Sequence, residues 1–579
     1  MEKMKARTPD LTTQNIEKIA ALFPNCVTEL PGKDGSCRRG INFELLRQML
    51  TGTETDVGES YEFNWVGKKA AIVEASRPAH SVMLPCPEES VDWDTTQNLY
   101  IEGDGLEALK ILRQNYLGKI KVIYIDPPYN TGSDFIYRDS FKMSTEDYQN
   151  KFGEQSGESS KSAKRAIYGG RFHSDWCSMI YPRLMLAREL LSEDGAIFIS
   201  IDDNELDNLR KICSEIFGED SFVACFPRIT KKAGKSSGGI AKNHDYLLMY
   251  AKAVDKLKVH QPRHEGGEFN CRDEYFDNRG YYRLNQTLDY NSLRYSSGLD
   301  YPIELEGQTF YPGGSREKYE ERQRGKHGRA DWAWRWSKEL FEFGLRNGFV
   351  VVKRSGGRPR LYTKTYQRAT IVKQDGSWSI VSRERTKPLS SLEFTNNKYS
   401  NDNAKKNLIA LFGSSVFDYS KPTALIEAIL RFASDPDSIV LDFFSGSAAT
   451  AHATMKLNSE DGGRRKFIMV QLSEACKPNS EAAKAGYKNI CEIGQERIRR
   501  AGVAIRRLAL AGSSPAQCCL NGCELPWLDT GFKVYRLDEA CCANSNSAED
   551  ALNLPEEQLS EFTNSAVISP SAKLETDGN

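Results

Sequence analysis

Two short polar tips hold the residues of this chain whose types and spacing could do chemistry. The first is Asp126-Pro127-Pro128-Tyr129, which ends the apolar run Val122-Ile123-Tyr124-Ile125 and leads into Asn130-Thr131-Gly132. Asp126 supplies an anionic acceptor, the prolines a carbonyl held at fixed φ, and Tyr129 a ring that can stack. Together they suit a planar heterocycle bearing an exocyclic amine: Asp126 and a prolyl carbonyl accept its two N–H groups, and Tyr129 covers the ring face. An amine that attacks a methyl group gives up conjugation with its ring and gains positive charge, so acceptors fixed around it favour that transition state. The second tip is Asp442-Phe443-Phe444-Ser445-Gly446-Ser447-Ala448-Ala449-Thr450, placed after Ser438-Ile439-Val440-Leu441. A turn of small residues lets backbone approach a ligand closely and aims the N–H groups of the following helix at it. Its glycine spacing is not that of a dinucleotide-binding loop.

Both tips need strands behind them. Residues 122–125 are β-branched or aromatic without alternation, the pattern of a central parallel strand covered on both faces. Pro127 and Pro128 cannot continue such a strand, so the tip projects beyond the carboxyl edge of the sheet, where open α/β sheets bind ligands. Residues 98–110 read as strand, turn and helix, with Asp104 placed to cap the helix. A helix is predicted from Ser174, with Trp176, Met179, Ile180, Leu184, Ala187 and Leu191 at helical spacing and with Trp176 and Tyr181 in the core. Residues 196–204 form a further buried strand with a polar tip, and Leu206–Phe217 a helix closed by Gly218. Such alternation defines a doubly wound α/β sheet. It resumes with the strand and helix over 438–453, a strand at 466–474 and a last strand at 531–537.

Over about 222–403 the alternation breaks down. Residues 228–242 hold five cations and no acid, a loop suited to phosphates. A charged stretch at 316–329, the tryptophans Trp332, Trp334 and Trp336, and the basic run 353–360 follow. Basic residues interleaved with aromatics suit the reading of nucleic acid. Residues 1–95 carry helical patterns around Ile16-Ile19-Leu22-Phe23 and at 43–50, then a strand-like stretch at 61–65. After the first tip come an aromatic-rich loop at 132–141 and a Ser/Gly/Lys-rich segment at 153–164, the latter either a segment that orders on the substrate or an idle surface loop.

At 579 residues the chain exceeds one core, and three or four domains are expected. It shows no run of eighteen apolar residues and no apolar stretch behind Met1-Glu2-Lys3-Met4-Lys5-Ala6-Arg7, so neither a membrane span nor a secretory signal is expected and the cytoplasm is the expected compartment. A formal net charge of −1 gives no global pull toward nucleic acid, which leaves that task to local basic surfaces. The fourteen cysteines show no framework spacing and read as reduced thiols. Cys518, Cys519, Cys523, Cys541 and Cys542 lack the Cys-x2-Cys spacing of a zinc site, so no metal is expected.

Asp-Pro-Pro-Tyr is the catalytic motif of amino-group DNA methyltransferases, and Asp126-Pro127-Pro128-Tyr129-Asn130-Thr131-Gly132 resembles the version in type III Mod subunits. The second tip resembles the S-adenosylmethionine-binding motif Asp-Pro/Phe-Phe-x-Gly-Ser-Gly-Thr-Thr. It departs where Ala448 replaces the second glycine and Ala449 a threonine, and a methyl group there is expected to narrow the pocket. Asp418-Tyr419-Ser420-Lys421-Pro422-Thr423 resembles the family's Lys-Pro segment, which packs over the methionine part of the cofactor. The resemblance makes 243–252 a strand of the catalytic sheet. It implies Asp104, Lys421, Pro422, Asp442, Phe443, Phe444 and Gly446 as cofactor-binding residues, and Gln471, with Glu474 nearby, as the group for the ribose hydroxyls. It extends from about residue 40 to about 537.

The implied fold is a Rossmann-like S-adenosylmethionine-dependent methyltransferase fold in circularly permuted, β-class order, since the catalytic motif precedes the cofactor motif by 442 − 126 = 316 positions. The expected organisation is an N-terminal accessory region (1–95), a catalytic half (96–222), a target-recognition insert (223–403), a cofactor half (404–510) and a C-terminal strand with a polar tail (511–579). The implied activity is methylation of adenine N6 in a specific duplex DNA sequence. Asp before Pro-Pro favours adenine N6 over cytosine N4, the nearest chemical alternative. A catalytically weak DNA-recognition subunit of a restriction complex, and a methyltransferase acting on RNA or on a protein amide, are the readings of other classes. Mod subunits act as dimers with a restriction (Res) subunit, which makes double-stranded DNA, a second copy and Res the implied partners.

Overall fold

The computed structural model describes residues 11–31, 37–51, 62–131, 161–232, 239–261, 269–355, 358–512 and 528–538. The loops expected at 132–141 and 153–160, residues 233–238 of the basic segment and the five C-terminal cysteines lie outside them. Two compact units result, one from residues 1–260 and 390–579, the other from Gln261–Leu389.

The first unit is built on strands β1 (Val82–Pro85), β2 (Leu99–Glu102), β3 (Ile120–Ile125), β4 (Leu191–Ile201), β5 (Phe222–Ile229), β6 (His244–Ala251), β7 (Ile439–Asp442), β8 (Lys466–Gln471) and β9 (Lys533–Asp538). Their order across one sheet is β1-β9-β2-β8-β7-β3-β4-β6-β5. The six strands from β9 to β4 run parallel, and β1, β6 and β5 pair antiparallel at the two edges. Alternate side chains point to opposite faces. Ile101, Ile123 and Ile197 pack under helices α2 (Gly105–Tyr116), α3 (Lys161–Leu190) and α4 (Leu206–Phe217), while Tyr100, Phe467 and Met469 pack under α7 (Ala449–Asp461) and α8 (Ile490–Gly512). The predicted doubly wound sheet is therefore present, with both faces of β3 covered.

Several boundaries differ from the expectation. Helix α3 starts at Lys161 rather than Ser174. Residues 62–66 form no strand: Trp65 instead donates its indole N–H to Ser178 Oγ of α3 at 3.0 Å, and α1 (Lys68–Ser76) follows. Because α1 packs on α3 and β1 extends the sheet, residues 62–95 are part of this unit rather than an accessory layer. The insert is narrower than 223–403, since β5 joins the sheet through its ladder with β6. Among the described residues no helix is long and apolar enough to cross a membrane.

The second unit holds a three-stranded sheet of Tyr282–Thr287, Val350–Ser355 and Arg358–Tyr366, with three separate two-stranded ladders. Its core gathers Leu288, Trp334, Phe341 and Leu361. Trp334 is buried and its indole N–H reaches Tyr301 O at 2.6 Å, so this tryptophan holds the unit together and offers no face to a base. Arg322 and Asp300 form a buried ion pair at 2.9 Å, which orders part of the charged stretch from within.

Candidate active site

Strand β3 ends at Ile125, and the two prolines turn the chain out of the sheet at its carboxyl edge. Three contacts fix this tip. Trp176 of α3 donates its indole N–H to Pro128 O at 2.7 Å. Asn130, at a left-handed φ of 59°, donates to Glu205 Oε1 at 2.6 Å. Tyr129 donates its hydroxyl to Asp245 Oδ2 of β6 at 3.3 Å, and Asp245 is itself clasped by the buried guanidinium of Arg228. Burial, then the charges of Asp126 and Asp245, push the Tyr129 hydroxyl well above its usual range, so it stays protonated. Its ring keeps partial exposure.

Glu205 is fully buried and also receives His173 Nδ1 at 2.6 Å and Asn208 Nδ2 at 2.7 Å. Sequence reasoning missed Glu205 and Asp245, read Trp176 as core alone and counted Arg228 in a loop suited to phosphates, whereas Arg228 lies in β5, buried against Asp245. Trp176 is core, yet its one polar atom orients the motif.

Strand β7 lies beside β3, with Val440 opposite Val122 and Leu441 opposite Ile123. This register brings the two tips to one edge although 316 positions separate Asp126 from Asp442 in the chain. Asp442 is buried, accepts Phe444 N–H at 3.1 Å and Thr450 Oγ1 at 2.5 Å, and so organises the turn from inside. Burial raises its carboxyl to about 7, with the Asp126 charge adding to the rise. Phe443 and Phe444 pack their rings into the core beneath the turn. Gly446 sits at φ +50°, where a Cβ would stand 3.4 Å from the Phe417 ring. Its N–H donates to Gln471 Oε1 at 2.7 Å.

That last bond uses the Gln471 carbonyl to brace the turn, and Gln471 Nε2 donates to Leu472 O at 3.2 Å. Glu474, three positions beyond β8, is half-buried, and its backbone bonds to Leu472 O and Ile490 N–H, while its carboxylate has no hydrogen-bond or ion-pair partner among the described residues; burial raises that carboxyl. Asp104 caps α2 by accepting Leu106 N–H at 2.8 Å and Glu107 N–H at 3.1 Å, and pairs with the buried Arg183 at 2.8 Å. Both of its oxygens are thus engaged, and capping is the role the geometry gives it.

Ala448 adopts φ 57° and ψ 43°, a left-handed conformation costly for a residue with a Cβ. Its methyl group is buried with Tyr100, Ala451 and Met455. The departure from glycine thus puts an alanine in a left-handed conformation with its methyl group against the core.

The Lys-Pro segment closes the edge from the side. Pro422 is the N-cap residue of α6 (Thr423–Ala433). Ser420 Oγ receives Ser447 Oγ at 3.0 Å and Arg497 Nη1 at 2.9 Å. Arg497 is completely buried with no acidic partner among the described residues and an unpartnered Nε, and burial lowers its guanidinium to about 10. An uncompensated cation behind a small-residue turn and the first N–H groups of α7 as donors, with the unpaired Glu474 carboxylate as acceptor, form a set that fits an amino-acid nucleoside with one carboxylate and ribose hydroxyls. Lys421 itself reaches the first tip, where Nζ donates to Asp126 Oδ1 at 2.5 Å.

A parallel-centred α/β sheet with an amine-acceptor tip beside a small-residue ligand turn defines a class, and comparison supplies it. The DNA methylase family profile matches residues 120–483, spanning both tips, and the chain belongs to that family. The StyLTI Mod subunit of a type III restriction-modification enzyme from Salmonella typhimurium is 33% identical over 83% of this chain and 67% of its own length. The EcoPI Mod subunit from Escherichia phage P1 is 31% identical over 85% and 75%. The EcoP15I Mod subunit from Escherichia coli is 28% identical over 95% and 83%.

Proposed function

We propose that this chain methylates N6 of adenine in a specific sequence of double-stranded DNA, with S-adenosylmethionine as methyl donor, as the modification subunit of a type III restriction-modification system. The observation that carries the reading is the seating of Asp126 and the turn 442–450 on adjacent parallel strands, β3 and β7. The cofactor supplies an electrophilic methyl group on a sulfonium. Everything else falls to the chain. Asp126 and the Pro127 carbonyl hold the amine, since Trp176 already occupies the Pro128 carbonyl. Tyr129 stacks on the base, its ring held edge-on by Asp245. Gly446 and the Phe443-Phe444 backbone frame the cofactor, Pro422 packs over it, and Glu474 rather than Gln471 takes its ribose hydroxyls.

The target adenine must leave the duplex stack to reach Asp126, at a cost of roughly a few kcal/mol. No enzyme nucleophile is required, because direct transfer depends on aligning amine, methyl and sulfur. Our reading extends to the β-class permuted order, to a second copy and a Res subunit as partners, and to the cytoplasm as the compartment. Expression in methylation-free bacteria, beside Asp126→Ala, followed by sequencing that reports N6-methyladenine, tests it. One sequence motif should be modified by the parent protein and not by the variant; an unmodified genome in both strains overturns the reading.

A further inference from the structure

We propose that in the free enzyme the Lys421 ammonium occupies the place of the substrate amine on Asp126 and that the target base enters by displacing it. This inference rests on the methyltransferase reading above. The Lys421 ammonium donates to Asp126 Oδ1 at 2.5 Å and lies 4.8 Å from the centroid of the Tyr129 ring. An N–H group on Asp126 and a partner over Tyr129 are the two interactions assigned to adenine, so the chain satisfies its own site. The side chains are only 10% and 23% exposed, so the ammonium has left most of its water for one carboxylate and one ring face.

The backbone around it is anchored. Ser420 is tied to Ser447 and Arg497, and Pro422 opens α6, which leaves the four-carbon stem of Lys421 as the moving part. While the ammonium stays, Asp126 is neutralised and a second positive charge stands where the attacking amine becomes cationic. Transfer therefore needs Lys421 elsewhere, and its departure restores the acceptor.

The test uses the full chain and a duplex carrying the motif found by sequencing, with 2-aminopurine, fluorescent when its neighbour leaves the stack, beside the target adenine. Loss of a cation from a DNA site ordinarily weakens binding through lost phosphate attraction. A self-occupied pocket predicts the reverse. If Lys421 closes the site about nine-tenths of the time, Lys421→Met lowers the concentration needed for half-maximal fluorescence by about tenfold. Lys421→Gln, which keeps a polar side chain of similar reach, should gain in the same direction, and Lys421→Arg should stay near the parent. Equal or weaker base extrusion by both neutral variants, with the parent protein extruding the base normally, overturns the inference alone. No fluorescence change with any of the proteins overturns the adenine reading and this inference with it.

Discussion

Asp442 shows why a residue's role depends on where its charge can go. Buried against Thr450 and Phe444, its carboxyl is raised from 3.8 to about 7. A raised carboxyl contributes stability that is complete below its unfolded value and is lost as pH rises through its folded value. The melting temperature of the parent protein relative to Asp442→Asn should accordingly fall between about pH 4 and about pH 7; a difference independent of pH contradicts the burial of this carboxyl. Asp126, which stands beyond the sheet edge, answers to function instead. Replacing it with Ala should lower methyl transfer by roughly 10²- to 10³-fold, as loss of a transition-state hydrogen-bond partner does, with cofactor affinity measured by calorimetry within about threefold. A comparable loss of cofactor affinity would move Asp126 from the amine to the cofactor. Ala448 carries a third expectation. Ala448→Gly relieves left-handed strain but removes a buried methyl and adds unfolded-state freedom, so stability should change by less than about 1 kcal/mol and cofactor affinity should not improve. Tighter cofactor binding by the glycine variant would restore the view that this methyl narrows the pocket.

At the scale of elements, the strands announced themselves and their supports did not. β3, β7 and β8 are continuous apolar runs ended by polar residues, a pattern set by burial on both faces and therefore visible locally. The groups that aim the β3 tip come from 48 and 75 positions away, Trp176 and Glu205, and no local pattern marks a side chain whose partner is a distant carbonyl or amide. The same holds for Gln471, whose place at the end of β8 suggested a ligand although its amide braces Gly446 of the neighbouring turn. Trp176→Phe keeps the ring in the core and removes only the N–H. It should cost about 1–2 kcal/mol in denaturant unfolding, the penalty for a buried unpaired carbonyl, and lower kcat more than it raises KM for DNA. Unchanged kcat would mean that the tip holds its orientation without this bond.

At the scale of the whole molecule, the chain forms two units with separate cores. Leu288, Trp334, Phe341 and Leu361 close the core of Gln261–Leu389 internally. The sequence located this insert by its broken alternation and assigned 243–252 to the catalytic sheet, but started the insert at 223, because β5 reads as irregular until its ladder with β6 is seen. Of its three tryptophans Trp334 is consumed by core packing, while Trp332 and Trp336 stay partly exposed. Replacing 261–389 by a flexible linker of about ten residues should leave cofactor binding intact and abolish sequence-selective DNA binding; retained selectivity would assign recognition to the first unit. The central claim is that the paired tips on β3 and β7 deliver a methyl group to adenine N6, and mass spectrometry of nucleosides from host DNA tests it most directly. The account predicts N6-methyl-2′-deoxyadenosine in cells expressing the parent protein and at least about a hundredfold less with Asp126→Ala; N4-methyl-2′-deoxycytidine instead, or equal N6-methyl-2′-deoxyadenosine in both strains, would contradict it.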